Sequence, residues 1–151
     1  MRARRILVPI DFSEGSTEAF ITGLAMAKES GAQLTLMHVL HVAMTTLPDV
    51  AMLSPDVQSG VRQSVERGLG MLCERAQAAG VEADWRVAVG STAVEICTLA
   101  EDLAADLIVI GSHGGGAFAH AILGSVAERV VRKASCPVLT VRPQSQSSLH
   151  P

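Results

Sequence analysis

The stretch from Leu107 to Ala127, LIVIGSHGGGAFAHAILGSVA, governs the reading of the whole chain. Four aliphatic residues, Leu107 to Ile110, stop at Gly111. A glycine-rich turn follows, and Gly124-Ser125 then opens a segment with helical spacing. Strand, glycine loop and helix start, in that order, present unpaired backbone amides and the positive end of a helix dipole to an anion. The expectation is a loop that holds the phosphates of a nucleotide. The spacing Gly111-x2-Gly114-x9-Gly124-Ser125 is not a Walker A loop, because no Gly-Lys-Ser/Thr follows. Nor is it a dinucleotide fingerprint. That pattern belongs on the first strand–helix turn, where this chain has Asp11-Phe-Ser-Glu.

The flanking segments alternate in type. Arg4 to Ile10 reads as a buried strand ending at Asp11. Ser16 is the expected N-cap of a helix running to about Ser30, which Gly31 closes. Gln33 to Val42 is a second strand, and Ala43 to Asp56 a long connection without period. Val57, Val61, Val65, Leu69, Leu72 and Ala76 mark one face of a helix ending at Gly80. Gly68 and Gly70 weaken that helix; a mid-helix glycine can admit a close neighbour, and which of the two does so stays open. Glu82 to Val89 is a third strand. Thr92-Ala-Val-Glu95 has a capping-box pattern and opens a helix with Ile96, Ala100, Leu103 and Ala104 on its apolar face. After the strand Leu107 to Ile110 come a helix from Ser125 to Ala134 and a last strand from Val138 to Val141. Strict β-α alternation predicts an α/β fold: a single-domain, open, parallel five-stranded sheet with helices on both faces. Residues 1–143 form the expected domain, and 144–151 a frayed Ser- and Gln-rich tail.

Composition sets the class. Hydrophobic residues make up 48% and charged residues 18%, as in a globular domain, while aromatics are only 3%, so the core must be aliphatic. A net charge of −3 and the short basic start give no nucleic-acid footprint. No stretch approaches the ~20 apolar residues that span a membrane. Ile6 to Ile10 is too short for an export signal, and a cytoplasmic location is expected. Cys73, Cys97 and Cys136 form no CxxC pair and are expected to be reduced core residues.

Ligands of open parallel sheets bind beyond the carboxyl ends of the strands, where the winding reverses. Two features at strand ends look unsuited to plain packing: Asp11 after the first strand and Gly111 after the fourth. If those strands are neighbours across the switch point, both features face one crevice.

Gly111-Ser-His-Gly114, nine residues and Gly124-Ser125-Val126-Ala-Glu128 resemble the nucleotide-binding signature of the universal stress protein family. Ile6-Leu-Val-Pro-Ile-Asp11-Phe-Ser13 resembles that family's first strand, Met37-His-Val39 the end of its second and Cys136-Pro-Val-Leu-Thr-Val-Arg142 its last. The resemblance spans the chain except the 43–56 connection and the tail. It implies a Rossmann-like fold of the adenine-nucleotide alpha hydrolase type, with ATP or another adenine nucleotide as ligand and Mg²⁺ held mainly by the phosphates. By the same resemblance, Asp11 and the backbone of Val39 contact adenine and ribose, and Gly111 and Gly114 bring the loop to ribose and phosphates. Gly124, Ser125 and Val126 supply amides, Ser125 also its hydroxyl, and Pro9, Ile10, Ser13, Ile110 and His113 are counted among the nucleotide-binding residues. A homodimer paired through Val138 to Val141 and a regulatory role with a further protein partner are also implied. In this chain Gly115 stands where the family often carries Arg or Lys.

Some readings stay open at this level. Ser125-Val-Ala-Glu128 is a capping box by pattern, so Ser125 either caps its own helix or contacts phosphate, and the two roles are compatible. Asp11 is either tied to its following turn or contacts ligand. His113 and His120 are loop residues, and His38 and His41 sit near a strand end without an assigned role. No base with an orienting partner is recognisable, so a binding protein is favoured over a slow ATPase or nucleotidyl-transfer enzyme, and over an interaction module that binds no nucleotide.

Overall fold

A short aliphatic strand that is to be covered on both faces needs a helix in every connection, which makes all its pairings parallel. The computed structural model describes residues 2–41, 55–113 and 123–144. Over these the elements are β1 (Arg5–Pro9), α1 (Glu14–Ser30), β2 (Gln33–Leu40), α2 (Pro55–Ala78), β3 (Ala83–Val89), α3 (Thr92–Asp102), β4 (Leu107–Gly111), α4 (Ser125–Lys133) and β5 (Val138–Val141). All strand pairs are parallel, in the order β3-β2-β1-β4-β5. This is the expected single-domain, doubly covered five-stranded sheet.

Side chains leave a strand on alternate faces, and the core divides accordingly. Ile6, Val8, Leu34, Leu36, Leu107 and Val109 pack with Ala19, Phe20 and Ala27 of α1 and Val65, Leu69, Cys73 and Ala76 of α2. Leu7, Met37, Ile108 and Ile110 pack on the other face with Ala93, Ile96, Cys97 and Ala100 of α3 and Ala127 and Val130 of α4. Gly31 closes α1 in the left-handed conformation at φ 73°, as the sequence predicts.

Several local expectations are corrected. The N-cap of α1 is Ser13, whose Oγ accepts from the Ser16 amide at 3.2 Å. Phe12 at φ 63° turns the chain early, so Ser16 lies inside the helix. There it is buried, and its Oγ donates to the Ser13 carbonyl at 3.2 Å and accepts from the Asp11 amide at 3.3 Å. The strand predicted through Val42 ends at Leu40, and Val42 lies outside the described residues. Of the predicted 43–56 connection, Pro55 and Asp56 already belong to α2, and 43–54 lie outside the described residues. Val57 and Val61 are 46% and 48% exposed, so the buried face of α2 begins only at Val65, where the helix reaches the sheet. At α3 the N-cap is Ser91 without a side-chain bond, so the Thr92–Glu95 capping box does not form. Leu103 caps that helix and still packs on the core beside Ile96 and Ala100, whereas exposed Ala104 follows at φ 48°, off the predicted helical face. The Ser125–Glu128 capping box is likewise absent, because Gly124 is the N-cap of α4. All three cysteines are free, but Cys136 is only half-buried. Burial, and secondarily Asp84, raises the Cys73 thiol to about 11, which leaves it protonated and inert.

The amino end of β1 is fixed by a residue the sequence reading passed over. Asp106 Oδ2 accepts from the amides of Arg4 at 2.7 Å and Arg5 at 2.9 Å, while its own amide donates to the Arg5 carbonyl at 2.9 Å. These two amide bonds hold its carboxyl below the ordinary aspartate value, since they favour the charged form. A folded value below the unfolded one stabilises the fold at neutral pH and ceases to do so as pH falls through the folded value. The expected outcome is that Asp106→Asn melts below the wild type at neutral pH. In melting curves taken downward in pH, that gap closes below about pH 4.

Candidate functional site

Two connections leave adjacent strands and pass to opposite faces of the sheet. β1 feeds α1 on one face, and β4 leads on to α4 on the other, while Ile6 pairs with Leu107 in the centre. The crevice between them is the switch point that the alternation predicts. It holds a cavity of about 520 Å³, lined by Pro9, Ile10, Asp11 and Ser13 from the first connection, by Val39 from β2, by Ile110, Gly111 and His113, and by Gly124, Ser125 and Val126. These are the sequence-predicted site residues. Gly114, the remaining one, lies outside the described residues, as do Gly115 and His120. Ser16, Met37, His38, Thr92, Ile96, Ser112, Leu123, Ala127 and Glu128 also line the cavity and were not singled out as site residues.

Close backbone contact builds the crevice. A Cβ on Gly111 would lie 2.7 Å from the carbonyl carbon of Gly15, and one on Gly15 would run into the His113 carbonyl oxygen. Glycine at 111 thus serves first to let the start of α1 rest on the end of β4. Gly15, which sequence reading missed, is the matching half of that contact. Ser112 is 1% exposed; its amide donates to Val141 at 2.8 Å and its carbonyl accepts from Gly124 at 2.6 Å. That last bond ties the two halves of the glycine motif directly. It sets the first turn of α4 at the cavity wall, where the amides of the first helical residues have no intrahelical acceptor.

Asp11 carries both of its sequence-level roles at once. Its Oδ1 accepts from the Ser13 amide at 2.9 Å and from the Ser13 hydroxyl, so the carboxylate is tied to its turn while lining the cavity. Ser13 therefore joins Asp11 to the cap of α1. His113 Nδ1 is 3.0 Å from Ser112 Oγ. Among the described residues no group of three His, Cys, Asp or Glu is arranged to hold a metal ion.

A second set of contacts steadies the Asp11 turn from the side of α2. His38 Nδ1 lies 2.7 Å from the Ile10 carbonyl, which requires that nitrogen to carry the proton. The His38 ring centroid is 5.5 Å from that of Phe12. Phe12, in its left-handed conformation, rests on α2 at Gly68, where a Cβ would meet its Cε1 at 2.7 Å. The mid-helix glycine at 68 was the available signal for this approach. Gly70 has nothing within 4 Å of such a Cβ.

Fold and cavity together define an α/β protein with a crevice at the switch point of a parallel sheet. The chain belongs to the universal stress protein family, whose model matches residues 2–142. The universal stress protein YxiE of Bacillus subtilis is 34% identical over 145 residues, covering 91% of this chain and 98% of that protein. The solved structure of MJ0577, a universal stress protein of Methanocaldococcus jannaschii, superposes with a TM-score of 0.83 at 26% identity, covering 96% of this chain and 99% of that one. A universal stress protein solved in complex with cAMP superposes with a TM-score of 0.69 at 26% identity, covering 95% and 99%.

The two glycines of α2 make a paired test. Gly70→Ala is expected to stabilise the protein by about 0.5–1 kcal/mol through helix propensity. Gly68→Ala is expected to lose that gain, because its methyl displaces the Phe12 ring. Urea unfolding of the two variants measures the difference.

Proposed function

We propose that this chain binds an adenine nucleotide in the crevice between β1 and β4 and acts as a regulator whose surface changes with nucleotide occupancy. The observation that carries this reading is the meeting of Asp11 with Gly124, Ser125 and Val126 around one cavity of about 520 Å³. That volume lies in the range of small-ligand sites, ~300–1,000 Å³. The relative solved with cAMP shows an adenine nucleotide bound by a member of the same family at 26% identity.

In this reading Asp11, with Pro9, Ile10 and Ser13 around it, and the backbone of Val39 receive adenine and ribose. Ile110, Gly111, His113 and Gly114 let the ribose and phosphates lie close to the main chain. The amides at Gly124, Ser125 and Val126 bind phosphate oxygens at the positive end of α4. ATP is the fullest ligand, with Mg²⁺ held mainly by its phosphates. Occupancy biases the residues around the phosphates toward one arrangement, and a partner protein reads that arrangement. The unit is residues 1–143, acting in the cytoplasm.

Pairing into a homodimer is proposed through β5. This strand lies at the sheet edge, and its residues Val138–Val141 include no Lys or Pro to blunt it. Leu139 there is 37% exposed. Apolar edges of this kind tend to pair.

Isothermal titration of the full chain with ATP and Mg²⁺ tests the reading. Binding is expected at micromolar to millimolar nucleotide, and no heat at millimolar concentration overturns it. Asp11→Ala, checked for folding by circular dichroism, is expected to weaken binding about tenfold, the effect of losing a charged hydrogen-bond acceptor.

A further inference from the structure

Among the described residues, the cavity has carboxylates on its wall but no Lys or Arg. Asp11 and Glu128 line it, as do the imidazoles of His38 and His113. All 12 Lys and Arg of the chain fall among the described residues, and none lines the cavity. The stretches 42–54 and 114–122 contain no Lys or Arg at all, so they have no cation to bring to a ligand.

Several basic side chains are engaged elsewhere. Arg132 bonds Glu128 itself at 2.6 Å, Arg62 bonds Glu66 and Arg86 bonds Asp84. Arg2 and Arg5 donate to carbonyls of Ser30 and Leu103. Among the described residues, what the site offers an anion is therefore chiefly the first turn of α4, equivalent to roughly half a positive charge. That offsets part of one phosphate charge. Each further charge meets the Asp11 carboxylate, and Glu128 whose charge is already matched by Arg132, with no Lys or Arg on the wall to receive it.

We propose that the site selects among adenine nucleotides by charge, preferring the form with the fewest phosphate charges, and that a divalent cation narrows this preference by neutralising the phosphates of ATP. The proposal rests on the adenine-nucleotide reading above and adds its order of preference. A cyclic monophosphate carries one charge, an open monophosphate more and a triphosphate more still. In the absence of metal, affinity falls along that series. Mg²⁺ restores ATP by removing charge from the phosphates rather than by binding the protein.

The test is calorimetric titration of the full chain with cAMP, AMP and ATP, first in EDTA and then in Mg²⁺. In EDTA the affinity for cAMP is expected to exceed that for ATP by about tenfold or more, with AMP between them. Mg²⁺ is expected to raise ATP affinity about tenfold and to leave cAMP affinity within a factor of about two. Glu128→Gln, which removes one lining carboxylate and releases Arg132, is expected to narrow the cAMP-to-ATP ratio about threefold or more. Metal-free ATP binding as tightly as cAMP overturns the charge preference and leaves the nucleotide reading standing. A ratio unmoved by Glu128→Gln also overturns it. Silence from all three nucleotides, with and without metal, overturns the nucleotide reading and this proposal with it.

Discussion

The first turn of α1 lies against the end of β4 with no side chain between them, and the rest of the site depends on that contact. Gly15 and Gly111 supply the two bare backbones. With any larger residue at either position, helix and strand would stand apart and the crevice between the two connections would change shape. Interiors are packed too tightly to absorb such a change locally. Because the contact is close, Asp11 on one connection and the start of α4 on the other border a single cavity.

Around this contact the backbone is tied from three directions. Ser13 caps α1 and bonds Asp11. His38 reaches across from β2 to the Ile10 carbonyl, and Phe12 lies on α2 at Gly68. Gly124 donates to Ser112, whose amide is in turn held by Val141. The turn carrying Asp11 therefore has fixed neighbours on α1, β2 and α2. A ligand at that end of the cavity meets a surface already arranged for it, which lowers the ordering cost of binding.

The fold was legible because its signals are periodic and repeated. Aliphatic runs such as Ile6 to Ile10 and Leu107 to Ile110, separated by helical spacing, admit one class of sheet. The position of the crevice followed from alternation and the switch-point rule, and the family resemblance supplied the residues beside Asp11 and Gly111. What escaped was set by tertiary contact. The cap of α1 moved from Ser16 to Ser13 because Phe12 takes a left-handed turn whose support comes from Gly68, more than fifty residues away. Val57 and Val61 fit a helical face by spacing, yet stay exposed, and the buried face of α2 begins only at Val65. His38 looked like a residue at a strand end until the Ile10 carbonyl stood beside it. Two capping-box patterns matched the rule, but each helix took the preceding residue as its cap. Gly15 gave no separate signal because its partner lies in a different connection.

The order β3-β2-β1-β4-β5 also has a consequence for the chain as it is synthesised. β1 emerges first and acquires β2 soon after, but its other edge has no partner until β4 follows, with Ile6 awaiting Leu107. Closing so long a loop is an entropically late step, and topologies rich in such pairings fold slowly. Both walls of the crevice flank that pairing. The ligand site is thus among the last features to exist on a nascent chain, and a truncated product ending before β4 would display the bare edge of β1 to any strand nearby.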